Sequence, residues 1–435
     1  MIHIRRSVSI NVTDQQLKLS LLQRCFDAHG SYTHAMDPIE PGRKTTNVKI
    51  TDCDSRTEHA TGSEGPESML NSPRGADTTC LSRSQLIENY HGLVQSDAIY
   101  NPIAYRFLRE LGRGHQGVVF LGLRQGARGC NTHHAIKIFD PSIYSCAENY
   151  WTDMGRIASQ ISHFQSVRSP TLVSRDVYEE LNGIGYIQME AIDGVDLLYL
   201  LAKQHLKKAR ARSTDEEWGR FTDVIFRIEE DRMSIQPGVA IYILRQILRG
   251  LETLHDHAFV HSDVKPSNIM IDRFGCVKLI DYGRAVHINE NTSFLLGTPY
   301  YMSPETHRKK QVFSQSDLYS VGILGIEMLC SSQMTRAHDE KELLAWKLKL
   351  PERLRDILPQ HVQESALLTD LLRGLIQPDP AQRSAPIGAA EKVEQAFGML
   401  HRELVRMGVD ADYGRELENY LSKLVDSETK QIEKC

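Results

Sequence analysis

One block of sequence constrains this chain more than any other: His261-Ser262-Asp263-Val264-Lys265-Pro266-Ser267-Asn268, followed by Asp281-Tyr282-Gly283. Its acidic, amide and ammonium groups are closely spaced, with five residues from Asp263 to Asn268 and eighteen from Asp263 to Asp281. The flanking patterns limit the folds that can gather them. Upstream, Arg106-Phe107-Leu108-Arg109-Glu110-Leu111 and Val118-Val119-Phe120-Leu121 alternate at period two around a glycine turn, and His134-Ala135-Ile136-Lys137-Ile138 reads as a third strand. From Pro237 the period becomes helical, with Ala240, Leu244, Ile247, Leu248, Leu251 and Leu254 along one face. Strands first and helices later predict an α+β fold of two lobes, a small β-rich one and a larger helical one, with a cleft between them.

Composition narrows the function classes. A chain of 435 residues, 41% hydrophobic, has the material for at least one large core. Its net charge of −5 gives no basic character to argue for nucleic acid. The eight cysteines are scattered singly, which points to neither a zinc site nor a disulfide framework and suits a reduced compartment. Met1-Ile2-His3-Ile4-Arg5-Arg6 is not followed by the apolar stretch of a secretion signal. No run approaches the roughly 18 apolar residues of a membrane span, and Cys435 is misplaced for prenylation. A soluble, cytoplasmic protein is expected, with delivery into a host cell left open.

Residues 12–28 have helical spacing, whereas Gly30 to Ser84 is rich in Ser, Thr, Asp, Gly and Pro and cannot bury enough apolar surface to order itself. Residues 1–99 are therefore expected to be a largely disordered extension, with order beginning near Tyr100. The folded domain is placed at 100–395, its small lobe at about 100–190 and its large lobe at about 237–395. Between them, about 203–235 is a charged insertion, a surface helix or loop. The basic run Lys207-Lys208-Ala209-Arg210-Ala211-Arg212 within it is either a solvated face or a docking element. Residues 396–435 carry helical spacing and are expected to form a helical tail.

The chemistry begins at Gly112-Arg113-Gly114-His115-Gln116-Gly117. Glycines there let backbone amides approach phosphate oxygens without a Cβ in the way, although any glycine turn has the same composition. A strand follows rather than a helix, which disfavours a dinucleotide site. Lys137 lies 20 residues beyond Gly117 in an apolar strand. It is either an edge lysine facing solvent or a buried cation that needs an anion, such as a nucleotide phosphate. Phosphoryl transfer asks for a carboxylate near the acceptor hydroxyl, oxygen ligands for magnesium and cations on the phosphates. Asp263 answers the first, Asn268 and Asp281 the second, Lys265 and Lys137 the third.

The block resembles the catalytic loop and metal-binding motif of the eukaryotic-type (Hanks-type) serine/threonine protein kinase family. Gly297-Thr298-Pro299-Tyr300-Tyr301-Met302-Ser303-Pro304-Glu305 resembles the segment that closes the activation loop, and the resemblance covers about residues 104–395. It implies the bilobal protein-kinase fold and transfer of the ATP γ-phosphate, with Mg2+, to Ser or Thr hydroxyls of protein substrates. Asp263 would be the catalytic base, with Lys265, Asn268 and Lys137 also catalytic and Asn268 and Asp281 on the metal. Gly112, Gly114, Gly117, Val119, Ala135, Lys137, Glu190, Ile192, Asp196 and Met270 would bind ATP, and Thr298 would belong to the substrate platform. Asp317 would bond the catalytic-loop backbone, and Arg383 would pair with Glu305. Neither nucleic acid nor an integral membrane segment is implied.

Three positions depart from the family pattern. Counting back from Pro170 places Gln160 where a glutamate would partner Lys137, with Phe164 one turn on; in another register the nearest upstream carboxylates are Asp153 and Glu148. Ser262 stands where an arginine would hold an activation-loop phosphate, so activity is expected not to depend on phosphorylation at Thr292 or Ser293. Tyr282 replaces a phenylalanine and adds a hydroxyl that needs a partner. The alternative reading is a pseudokinase, a binding or scaffolding module of the same fold.

Overall fold

The first described element lies earlier in the chain than the sequence suggests. The structure, a computed structural model, describes residues 81–424 apart from 102, 166, 230–231, 289–296, 310–311, 331–338, 384–390, 396, 400 and 403–411. The expected helix at 12–28 and the low-hydrophobicity stretch up to residue 80 lie outside the described residues. Helix α1 (Arg83–Gln95) opens with a capping box: the Ser82 hydroxyl accepts from the Gln85 amide, and the Gln85 side chain accepts from the Ser82 amide. Its Leu86, Tyr90 and Leu93 share one face and are buried. Arg83 donates to the carbonyls of Tyr144 and Ser142. α1 and the start of strand β1 (Ala98–Asn101) thus lie ahead of residue 100 and have side chains buried in the core.

β1, β2 (Ile103–Gly114), β3 (Gly117–Gln125) and β4 (Asn131–Phe139) run antiparallel. Helix α2 (Ala147–Phe164) follows, then β5 (Arg175–Leu181) and β6 (Ile184–Glu190). The six strands make one sheet in the order β1-β2-β3-β4-β6-β5. Its register sets Val119 opposite Lys137 and Ala135 opposite Met189. α2 buries Tyr150, Met154, Ile157, Ile161 and Phe164, alternating four and three residues apart as one helical face requires. Each such side chain contributes roughly 1.5–3 kcal/mol of burial. Gln160 is buried among them.

Strand β7 (Gly194–Asp196) and helix α3 (Leu197–Leu201) lead into the charged stretch. It is more than a surface helix or loop: α4 (Gln204–Ala211), α5 (Asp215–Val224) and the hairpin β8 (Phe226–Glu229)–β9 (Arg232–Ile235) fold as a small layer. His205, Ala209, Phe221, Val224, Phe226 and Met233 are buried within it. Its basic run is largely a solvated face, where Arg210 pairs with Asp215 and Arg212 donates to the Lys423 carbonyl.

The helical half is built on α6 (Pro237–Asp256), whose apolar face is the one read from the sequence. Short strands β10 (Phe259–Val260), β11 (Ile269–Asp272), β12 (Val277–Leu279) and β13 (Val286–His287) flank residues 261–268 and 281–283. Then come α7 (Pro304–Lys309), α8 (Ser314–Cys330), α9 (Glu340–Ile357), α10 (Gln360–Gln363), α11 (Ala366–Leu375) and α12 (Tyr413–Ser422). α8 is buried at every position from Ser316 to Leu329, as its all-round apolar sequence demands. α12 covers the insertion: Tyr420 packs edge-on against Phe221 at 5.2 Å and Phe226 at 4.8 Å, and its hydroxyl bonds His205. Gly275 permits this docking, since it has φ 77° and a Cβ there would lie 2.0 Å from the Gly414 carbonyl. No helix among the described residues is long and apolar enough to cross a membrane.

Candidate active site

The loop that carries Asp263 is held from below by α8. Asp317 accepts from the His261 amide at 2.8 Å and the Ser262 amide at 2.9 Å, which braces Ser262 in a left-handed backbone of φ 68°. His261 is fully buried, and burial lowers its pKa, keeping the ring neutral. Its Nδ1 accepts from the Asp263 amide at 3.2 Å, so Nε2 carries the proton and donates to the Ile280 carbonyl at 3.1 Å.

Asp263 is the centre of a closed network. Its Oδ1 accepts from the Thr298 amide at 3.0 Å and hydroxyl at 2.9 Å, and its Oδ2 from Lys265 Nζ at 2.7 Å. Lys265 also reaches the Thr298 hydroxyl at 3.1 Å. The Asn268 amide nitrogen donates to the Asp263 carbonyl at 2.8 Å and more weakly to Oδ2 at 3.3 Å. Asp263, Lys265, Asn268 and Thr298, read from two separate stretches of sequence, thus meet in one place.

A second group forms around Lys137, which projects from β4 in a buried position rather than from a solvent-facing edge. Its Nζ lies 2.6 Å from Asp281 Oδ1 and 2.7 Å from Gln116 Oε1, at the tip of the glycine hairpin. Burial would raise the Asp281 carboxyl, but Lys137, by charge and hydrogen bond, together with Arg175 holds it below the usual carboxylate range. Asp281 itself adopts a left-handed backbone, φ 55°.

Gln160 lies on the buried face of α2 and donates to the Ala285 carbonyl, and Phe164 meets the Tyr282 ring at 5.6 Å. Asp153 is engaged elsewhere, by Arg156 at 2.7 Å and the Tyr144 hydroxyl at 2.5 Å, and Glu148 is exposed. Arg156 also donates to the Gly283 carbonyl at 3.1 Å. The Tyr282 hydroxyl donates to the Val173 carbonyl at 2.7 Å.

The residues assigned to nucleotide are distributed over several elements. Gly117 has φ 142°, and a Cβ there would lie 1.9 Å from the Ile138 carbonyl oxygen, so only glycine fits. Around Gly112 and Gly114 there is open space. Ala135 is buried on β4, while Val119 on β3 and Met270 on β11 are half-buried. Ile192 packs against the core. Glu190 uses its carboxylate on Lys278 at 2.8 Å and on the Ser174 amide at 3.3 Å. Asp196 caps α3, accepting from the Tyr199 amide at 2.7 Å. Thr292 and Ser293 lie outside the described residues. Sequence reasoning missed Gln116, Arg156 and Arg175.

Comparison with known proteins adds an independent finding: the model of the family described as "Protein kinase domain" matches residues 105–397. The chain belongs to the protein kinase family. Among its curated relatives, ribosomal protein S6 kinase alpha-1 of Rattus norvegicus is 28% identical over 304 residues, covering 68% of this chain and 36% of that protein. The probable serine/threonine-protein kinase PknB of Lactococcus lactis is 28% identical over 229 residues, 52% of this chain and 31% of the relative. Serine/threonine-protein kinase max-2 of Caenorhabditis elegans is 28% identical over 252 residues, 57% and 33%. This kinase-family chain thus spans about a third of the length of the curated relatives it matches. Within the family frame, the Glu305–Arg383 pair is closed by two bonds of 2.7 Å, and the sheet and helical parts correspond to the small and large lobes.

Proposed function

We propose that the chain transfers the γ-phosphate of ATP to Ser or Thr hydroxyls of protein substrates. The observation that carries this reading is the Asp263 network, in which one buried carboxylate is bonded by Lys265, Asn268 and Thr298. An acceptor hydroxyl donates to Asp263 in place of the Thr298 hydroxyl, and Asp263 orients it or takes its proton. Lys137 and Lys265 set their charges against the phosphates. Asn268 donates its NH2 to Asp263, and its side-chain carbonyl oxygen would join the Asp281 carboxylate in holding a cation. A carboxylate and a carboxamide oxygen suit Mg2+, which keeps most of its shell for water and phosphate. Mg2+ held there would supply positive charge against the nucleotide phosphates. Glycines 112, 114 and 117 leave room for phosphates, and Val119, Ala135, Glu190, Ile192, Asp196 and Met270 frame the nucleoside.

The pseudokinase reading draws on Gln160, which supplies no charge to Lys137. Against it, Lys137, Asp263, Asn268 and Asp281 are all present, and a scaffold has no chemical need for the four together. Phosphotransfer from radiolabelled ATP onto a randomised peptide library, with the Asp281→Ala protein as blank, tests the proposal. Labelled Ser and Thr peptides are expected. Binding of Mg·ATP by thermal shift with no label in any peptide favours the pseudokinase.

A further inference from the structure

Arg175 begins β5 at 5% exposure, and none of its three guanidinium nitrogens has a hydrogen-bond partner among the described residues. A buried cation without hydrogen bonds is costly, and a guanidinium does not escape by losing its proton. Burial pulls its pKa down, and the neighbouring Tyr282 and Asp281 oppose that shift. What holds it is the Tyr282 ring, whose centroid lies 3.7 Å from the guanidinium carbon. That ring is fixed on its other sides, by its hydroxyl on the Val173 carbonyl at 2.7 Å and by Phe164 edge-on at 5.6 Å. Gly283 leaves the space beside the stack clear. A Cβ there would sit 3.6 Å from one guanidinium nitrogen of Arg175 and 3.8 Å from Asp281 Oδ1, so cation and carboxylate flank the same glycine.

Besides the Phe164 ring, α2 gives this segment hydrogen bonds from Gln160 to the Ala285 carbonyl and from Arg156 to the Gly283 carbonyl, with a longer one from Arg156 to the Ala285 carbonyl at 3.4 Å. We propose that Arg175 is a positioning residue for Asp281: stacked on Tyr282, it fixes the Asp281-Tyr282-Gly283 turn from the sheet side and sets the metal-binding carboxylate in place. A buried group left unsatisfied is costly to keep, and cost tolerated at one point of a site is a mark of function there. The inference rests on the proposed role of Asp281 in phosphotransfer. One arm of its test does not need that role.

The full chain is compared with Arg175→Met, Arg175→Lys, Tyr282→Leu and the Arg175→Met/Tyr282→Leu double variant. Methionine fills the same volume without the charge, so the melting temperature is expected to hold or rise. Without nucleotide, exchange of the Ala285 amide, bonded to the Tyr282 carbonyl at 3.0 Å, is expected to quicken about tenfold, the worth of a desolvated cation–π stack. In turnover, the Mg2+ concentration for half-maximal rate rises about tenfold while KM for peptide stays put. Tyr282→Leu, which also removes the hydroxyl bond to Val173, shifts both at least as far, adding Arg175→Met to it changes neither further, and Arg175→Lys falls between the unmutated chain and Arg175→Met. Unchanged Ala285 exchange in Arg175→Met overturns the proposal. So does a fall in melting temperature with faster exchange throughout the chain, or full additivity in the double variant. Absence of phosphotransfer in the unmutated chain refutes the kinase activity instead, and the exchange arm still decides on Arg175.

Discussion

Lys137 Nζ sits 2.6 Å from Asp281 Oδ1, joining the sheet to the Asp281-Tyr282-Gly283 segment, while Gln160 donates to the Ala285 carbonyl. The position that would hold a carboxylate for Lys137 instead makes a neutral tie to the segment after Asp281. The Lys137–Asp281 pair and that tie are separate devices, so they respond separately to mutation.

Gln160→Glu separates them. A carboxylate has no hydrogen to give the Ala285 carbonyl, and it would be buried against an oxygen. The variant is expected to lose about 1–3 kcal/mol of stability, measured by urea unfolding, and to gain no phosphotransfer. A higher kcat in Gln160→Glu would contradict the neutral tie.

Arg383 and Glu305 form a bidentate pair with side chains 0% and 9% exposed. Arg383→Met leaves a buried carboxylate unpaired and is expected to cost about 3–5 kcal/mol. Adding Glu305→Gln should return much of that loss. A double variant as unstable as the single one would show that packing rather than charge sets the cost.

Lys347 on α9 is fully buried and donates to the Pro299 and Met302 carbonyls at 2.5 Å each, beneath the segment that bears Thr298. Burial brings its pKa down to about 7, against Glu305 and Glu340, which raise it. In the unfolded chain it returns to about 10.4. Between these values the unfolded state holds more protons, so the Lys347 contribution makes stability rise with pH from about 7 to about 10, by at most about 1.4 kcal/mol per unit. Lys347→Met should remove that slope; an unchanged slope would refute the assignment.

Ser262 spends its hydroxyl on the Val260 carbonyl at 3.3 Å and offers no cation to a phosphate. Thr292→Ala with Ser293→Ala is expected to keep turnover within about threefold of the unmutated chain, less than the 1.4 kcal/mol that a tenfold change represents. Loss of activity in that double variant would mean that phosphorylation there is required.

The legible parts of the sequence were those with a local signature. Asp263, Lys265 and Asn268 fall within one loop, and the apolar faces of α6 and α8 repeat at helical spacing. Helix α1 was legible in principle, as a Ser82–Gln85 capping box followed by Leu86, Tyr90 and Leu93, but the Ser- and Gly-rich sequence before it masked the signal. The insertion read as surface because its few apolar side chains find their cover 215 residues away, where Tyr420 meets His205. Arg175 and Gln116 were missed for the same reason: each acts on a group distant in sequence, and composition says nothing about which distant group that is.

The most direct measurement is the rate of phosphotransfer from ATP to a Ser/Thr peptide by the unmutated chain and by Asp263→Ala, with melting temperatures taken on both. The expected result is measurable transfer, lowered about 10²–10⁴-fold by the substitution in a protein that still folds. Near-native transfer by Asp263→Ala, or none by the unmutated chain with Mg2+ and ATP present, would contradict the assignment of this carboxylate to catalysis.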